Sequence, residues 1–109
     1  MTLKSAILGT GSALPARRVS NEELTETVDT SDEWIVERTG IRFRHIAGDD
    51  ETTASLGTLA SQRALENAGI DAADLDLIVL ATSTPNQTFP AMAMRVPEMV
   101  KTRSKCHKP

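Results

Sequence analysis

The chain has 109 residues, 39% apolar and 25% charged, which fits one soluble globular domain and excludes fibrous or low-complexity classes. No apolar run approaches the roughly 18 residues of a membrane span, and a start with one Lys and an apolar segment broken by Gly9 and Gly11 suits no secretory signal. A single Cys forms no internal disulfide and agrees with a reducing compartment, so the expected location is cytoplasmic. Of 12 basic residues, Lys101, Arg103, Lys105 and Lys108 lie at the end, whereas all 15 acidic residues precede them. A basic tail without aromatic interleaving, on an acidic remainder that repels phosphate, predicts no nucleic-acid binding.

Residues 3–8 form a short apolar run closed by Gly9-Thr10-Gly11-Ser12-Ala13-Leu14-Pro15, which reads as a buried strand and a tight turn. The run falls short of a dinucleotide fingerprint. Leu14 occupies the third glycine position and Pro15 stands where a helix should open, so backbone geometry explains these glycines better than a nicotinamide or flavin site. Ser20 and Glu23 make a capping box that opens a helix to about residue 28, with Leu24 and Val28 inward.

Thr30 and Glu33 make a second capping box, and Gly40 supplies the positive φ that a helix end requires, so residues 31–39 read as a helix. Behind it Ile41, Phe43 and His45 alternate with Arg42, Arg44 and Ile46. That period predicts a half-buried strand with guanidiniums on one face. After a polar turn, Leu56, Leu59, Ala60, Ala64, Leu65 and Ala68 recur at helical spacing, so residues 53–68 form a helix whose small residues permit close packing. Gly69 ends it. The acidic connection 71–76 reads as solvated, and Leu77-Ile78-Val79-Leu80-Ala81 is apolar on both faces, as in a central parallel strand. The expected fold class is therefore α/β, with strands near 3–9, 41–46 and 76–82.

Two features carry chemistry. Trp34 and Arg38 stand one helical turn apart, so an indole plane and a guanidinium plane face the same way and can hold a flat heteroaromatic ring, or else contact only each other as a cation–π pair. The loop from Thr82 to Phe89 follows the carboxyl end of the last strand, where open α/β sheets bind ligands, although an aromatic closing a loop over the core explains Phe89 equally well. Cys106 sits in Ser-Lys-Cys-His-Lys on a polar tail, with no buried framework to lower its pKa. A lone Cys with His45 and His107 has no zinc spacing either, so no metal site is expected.

The run TSDEWIVERTGIRFRHI, with GTGSALP before it and TSTPNQTFP after it, resembles the N-terminal part of β-ketoacyl-acyl carrier protein synthase III over residues 3–90. The resemblance implies part of the N-terminal half of a thiolase-like fold, with a mixed or parallel sheet and packing helices. It implies a homodimeric acyltransferase that condenses an acyl-CoA primer with malonyl-acyl carrier protein, with no tightly bound cofactor and coenzyme A thioester as substrate. Trp34 and Arg38 match residues that sandwich the adenine, Thr30 belongs to the same coenzyme A site, and Phe89 matches a residue that shapes the partner's primer pocket. The catalytic Cys, His and Asn of the family fall beyond Pro109, so this chain by itself is expected to be inactive.

Past Pro90 the resemblance fails. Pro97 interrupts the helix the family would have, and the end offers too few apolar residues for a buried strand. Residues 1–90 are therefore expected to form an incomplete half-domain and 91–109 a divergent, disordered basic tail. A stand-alone coenzyme A or nucleotide-binding module and a noncatalytic interaction protein are the alternative readings.

Overall fold

A computed structural model describes residues 2–84. Phe89, Cys106, His107 and the expected tail lie outside the described residues. The chain divides into two compact units, Leu14–Glu51 and a second formed by Met1–Ala13 with Thr52–Pro109.

The unit Leu14–Glu51 is a β-α-α-β excursion. Strand β1 (Arg17–Ser20) pairs antiparallel with β2 (Phe43–Ile46), with Arg18 opposite His45 and Val19 opposite Arg44. Opposed side chains share a face, so Ser20, Phe43, Arg18 and His45 lie on one side, and the Arg18 guanidinium covers the Phe43 ring at 3.6 Å. The ends of the excursion are clasped together. Glu51 accepts from the Ala16 N–H at 3.0 Å and the Gly48 N–H at 3.1 Å. Nδ1–H of His45 donates to the Pro15 carbonyl at 2.7 Å, which gives His45 a structural role.

Between the strands run α1 (Asn21–Thr25) and α2 (Asp32–Thr39). Ser20 caps α1 as expected, its hydroxyl accepting from Glu23 N at 3.1 Å, but the Glu23 carboxylate turns to Arg17 at 2.7 Å instead of closing the box. The helix also stops at Thr25 rather than near 28. Thr25 and Thr27 bond back to the Glu22 and Leu24 carbonyls at 2.6 and 3.2 Å, local bonds that compete with helix continuation, and Val28 is left 49% exposed rather than inward.

The cap of α2 is Ser31, which accepts from Trp34 N at 3.2 Å, so the cap lies one residue past the expected Thr30 and the expected box with Glu33 is not formed. Both residues are competent caps. With Ser31 in that role Asp32 and Glu33 fall in the first turn, where carboxylates complement the helix dipole. Gly40 ends α2 at φ 70°, and its N–H donates to Val36 O at 2.8 Å. The strand that follows starts at Phe43 rather than 41, and Phe43 and Ile46 are exposed, so it is not the half-buried strand the alternation predicts. The buried apolar residues here are Val19 and Ile35.

In the other unit, α3 (Thr53–Ala68) has the bounds that the periodicity predicts. Thr52 and Ser55 form a reciprocal capping box at 2.9 and 3.1 Å, and Gly69 closes the helix at φ 68°. The glycines before it are explained by close approach. A Cβ on Gly9 would meet Ala68 N at 2.6 Å, and one on Gly11 would meet Ala60 O at 2.4 Å, so the loop lies on the track of Ala60, Ala64 and Ala68. Asn67 Oδ1 accepts from Thr10 N at 3.1 Å, and Arg63 donates to Ser12 O at 2.7 Å. Of the expected stripe Leu56, Ala60, Ala64, Leu65 and Ala68 are partly covered and Leu59 is exposed, while the fully buried positions are Ala54 and Thr58. A short 3-10 turn, Ala72–Asp74, follows, capped by Asp71.

The strands expected at 3–9 and 76–82 are not formed among the described residues; both segments are unpaired, with Leu3 92% and Val79 83% exposed. A strand exists only as one rail of a ladder, and a segment apolar on both faces needs a covering layer on each. The described residues supply neither, and their one sheet is the two-stranded antiparallel pair.

Candidate functional site

Helix α2 presents the candidate site. Its spacing puts Trp34 and Arg38 on one face, and the Arg38 guanidinium carbon lies 4.3 Å from the centre of the Trp34 ring. The expected slot between them is therefore closed. Two stacking contacts of about 3.5 Å require planes about 7 Å apart, so no ring lies between these two in this arrangement. Of the two geometries open from the sequence, the structure has the direct cation–π pair.

The indole is nevertheless 51% exposed, and it forms one wall of a cavity of about 550 Å³. Leu24, Val28 and Ile35 supply apolar walls, and Asp29, Thr30 and Ser31 a polar edge. Thr30 Oγ1 is buried there without a hydrogen-bond partner. Because Ser31 takes the capping role, this hydroxyl stays buried without a partner, an arrangement that costs stability. Chemically the cavity offers apolar walls, an aromatic ring that stacks on a cation, and a polar edge of one carboxylate and two hydroxyl-bearing residues.

Arg42 and Arg44, the guanidiniums expected on one face of the strand, are placed differently. Arg44 donates to Ser20 O at 3.2 Å and to Asn21 Oδ1, so its guanidinium is engaged within the fold. Arg42 is exposed and lines a separate hollow of about 240 Å³ with Asn21, Asp32 and Phe43. Asn21 itself was not legible as important. It is 1% exposed, and its Nδ2 donates to Asp32 Oδ1 at 2.7 Å and Ile41 O at 2.8 Å. The only local signal is an Asn following a capping Ser, which looks like an ordinary first helical residue. Among the described residues no group of His, Cys, Asp and Glu could hold a metal ion, and no helix is long and apolar enough to cross a membrane.

No family model matches the chain. It is 67% identical over 96 residues to β-ketoacyl-[acyl-carrier-protein] synthase III of Sphingopyxis alaskensis, a match covering 88% of this chain and 30% of the relative. The crystal structure of 3-oxoacyl-[acyl-carrier-protein] synthase III from Aquifex aeolicus superposes with a TM-score of 0.82 at 46% identity, covering 87% of this chain and 30% of that one. The priming β-ketosynthase of the R1128 polyketide biosynthetic pathway gives 0.83 at 44% identity, covering 87% and 28%. The fold is thus part of a thiolase-like α/β architecture. Within that class the chain is homologous to β-ketoacyl-acyl carrier protein synthase III, and it spans about three tenths of the length of the curated relatives it matches.

Proposed function

We propose that this chain forms the coenzyme A-binding face of a ketoacyl synthase III, an acyltransferase that starts fatty acid or polyketide synthesis by condensing an acyl-CoA primer with malonyl-acyl carrier protein. The observation that carries the reading is the exposed indole of Trp34, backed by Arg38 and walling an apolar cavity, in a chain 67% identical to such a synthase. The adenine stacks on the face of Trp34 that Arg38 leaves open, Arg38 raises the positive potential for phosphate, and Thr30 belongs to the polar edge of the same cavity. This replaces the sandwich between Trp34 and Arg38 with a one-sided stack. Phe89 is assigned to the primer pocket of a homodimer partner, and residues 91–109 to a tail outside the half-domain. A cytoplasmic location, without nucleic acid, membrane or tightly bound cofactor, belongs to the same reading.

Condensation transfers the acyl group from coenzyme A to a cysteine thiolate. Decarboxylation of the malonyl thioester then supplies the carbon nucleophile that displaces that thiolate. No residue among 2–84 is assigned to those steps; their contribution is to bind and orient the coenzyme A end of the primer. Trp34 is the only Trp and the chain has no Tyr, so its fluorescence reports directly on the site. Titration of the 109-residue chain with coenzyme A should quench this emission, and pantetheine, which lacks adenine, should quench it far less. Equal quenching by both, or none by coenzyme A, overturns the adenine site.

A further inference from the structure

The side chain of Asn21 is nearly inaccessible, and every contact it makes is across the chain. One Nδ2 hydrogen goes to the carboxylate of Asp32, the first residue of α2, and the other to the carbonyl of Ile41, just past the glycine that ends α2. Its Oδ1 accepts from Arg44 on β2, and its backbone N–H donates to Arg42 O at 3.1 Å. The orientation of the amide is set by its partners: a carboxylate and a carbonyl only accept, and a guanidinium only donates, so the NH₂ and the oxygen cannot be exchanged. With both donors and the acceptor engaged, no substitution preserves the set.

These contacts hold α2 at its start and at its exit. Trp34 and Arg38 sit between those two points on the same short helix, so the angle at which they meet a ligand depends on how α2 is seated. Apolar burial in this unit is slight, with Val19 and Ile35 as its buried apolar side chains, so packing alone leaves the seating of α2 weakly specified. Buried polar networks specify a unique arrangement when every member is satisfied. We propose that Asn21 is a positioning residue for the ligand-binding face of α2, acting through Asp32 and Ile41 without touching the ligand. The inference rests on the adenine-site reading of Trp34 and Arg38.

The test uses the 109-residue chain, with coenzyme A as the probe and Trp34 as the reporter, at a temperature where each variant is folded by circular dichroism. Asn21→Asp removes both donors and sets two carboxylates side by side. It should raise the coenzyme A concentration for half-quenching about tenfold, the shift expected when roughly one buried hydrogen bond is lost, and lower the ligand-free anisotropy of Trp34. Adding Asp32→Asn restores a donor–acceptor pair between positions 21 and 32, and should bring the half-quenching point back to within about threefold of the original. Ala54→Gly, a destabilising change in α3, should lower the melting temperature without moving either readout.

Unchanged anisotropy and unchanged half-quenching in folded Asn21→Asp overturn the proposal. Equal shifts in Ala54→Gly also overturn it, since they would mark a general loss of stability. If Asn21→Asp does not fold, Asp32→Ala takes its place, because it leaves one Asn21 N–H without its partner, and the same unchanged readouts overturn the inference. Absence of quenching in the unsubstituted chain instead defeats the adenine reading, while the anisotropy of the variants still decides whether Asn21 seats α2.

Discussion

Arg38 stacks on Trp34 with its guanidinium carbon 4.3 Å from the ring centre, one turn further along α2. The pair shields one face of the only indole in the chain, and the same side chain lines the cavity. Arg38→Ala should therefore increase quenching of Trp34 by acrylamide and shift its emission to the red. The stability cost should be small, about 0.5–1 kcal/mol in urea unfolding, because the contact is exposed to water. Unchanged acrylamide quenching would show that the stack does not persist in solution.

Two neighbouring hydroxyls at the start of α2 should behave oppositely. Ser31→Ala removes the acceptor for Trp34 N and should cost about 1 kcal/mol. Thr30→Val replaces a buried hydroxyl that has no partner with a methyl of similar size, and should be neutral or stabilising. Paired urea melts give the comparison, and a larger cost at Thr30 would move the cap back to the position first expected.

Glycine substitutions should also split by environment. Gly11→Ala brings a Cβ to 2.4 Å from Ala60 O and Ala64 N, which is backbone that cannot move alone, so a loss of about 1–3 kcal/mol is expected. Gly57 lies inside α3, with nothing within 4 Å of an added Cβ. Gly57→Ala should stabilise by about 0.5–1 kcal/mol, since alanine restricts the unfolded chain and favours helix. Thermal melts showing the same sign for both changes would contradict the packing of the 9–12 segment on α3.

In a whole synthase III carrying this segment, Trp34→Ala and Arg38→Ala should raise the KM for acyl-CoA several-fold. The KM for malonyl-acyl carrier protein should change far less. Losing a contact made equally in the ground and transition states raises KM and leaves kcat in place. Steady-state kinetics with each substrate varied in turn measures the split, and equal effects on both would mean that the face is not specific to coenzyme A.

The 109-residue chain by itself should form no condensation product. The residues assigned a role among 2–84 bind and orient coenzyme A, and binding alone does not lower the chemical barrier. Incubation with radiolabelled acetyl-CoA and malonyl-acyl carrier protein checks this. Label on Cys106 followed by turnover would overturn it, whereas label without product indicates only a reactive thiol.

Much of the local structure was readable from residue type because its causes lie within a few residues. Gly40 and Gly69 take the positive φ their positions demand, and the bounds of α3 follow from the helical period of its apolar residues and the glycine that ends it. The spacing of Trp34 and Arg38 likewise dictates that they meet. What it leaves open is whether they meet each other or a ligand, and only the folded helix shows the direct stack.

Other features have causes far along the chain. Strand β1 contains one apolar residue, Val19, and it is a strand because β2 pairs with it, a contact more than twenty residues distant by register. The runs at 3–9 and 76–82 have strand composition yet remain unpaired among the described residues, because ladder partners and covering layers are properties of the surroundings rather than of the segment. Asn21 is decided in the same way. Nothing in its neighbours marks it, and its role arises because the fold brings Asp32, Ile41 and Arg44 to one buried amide, where polar groups must find partners.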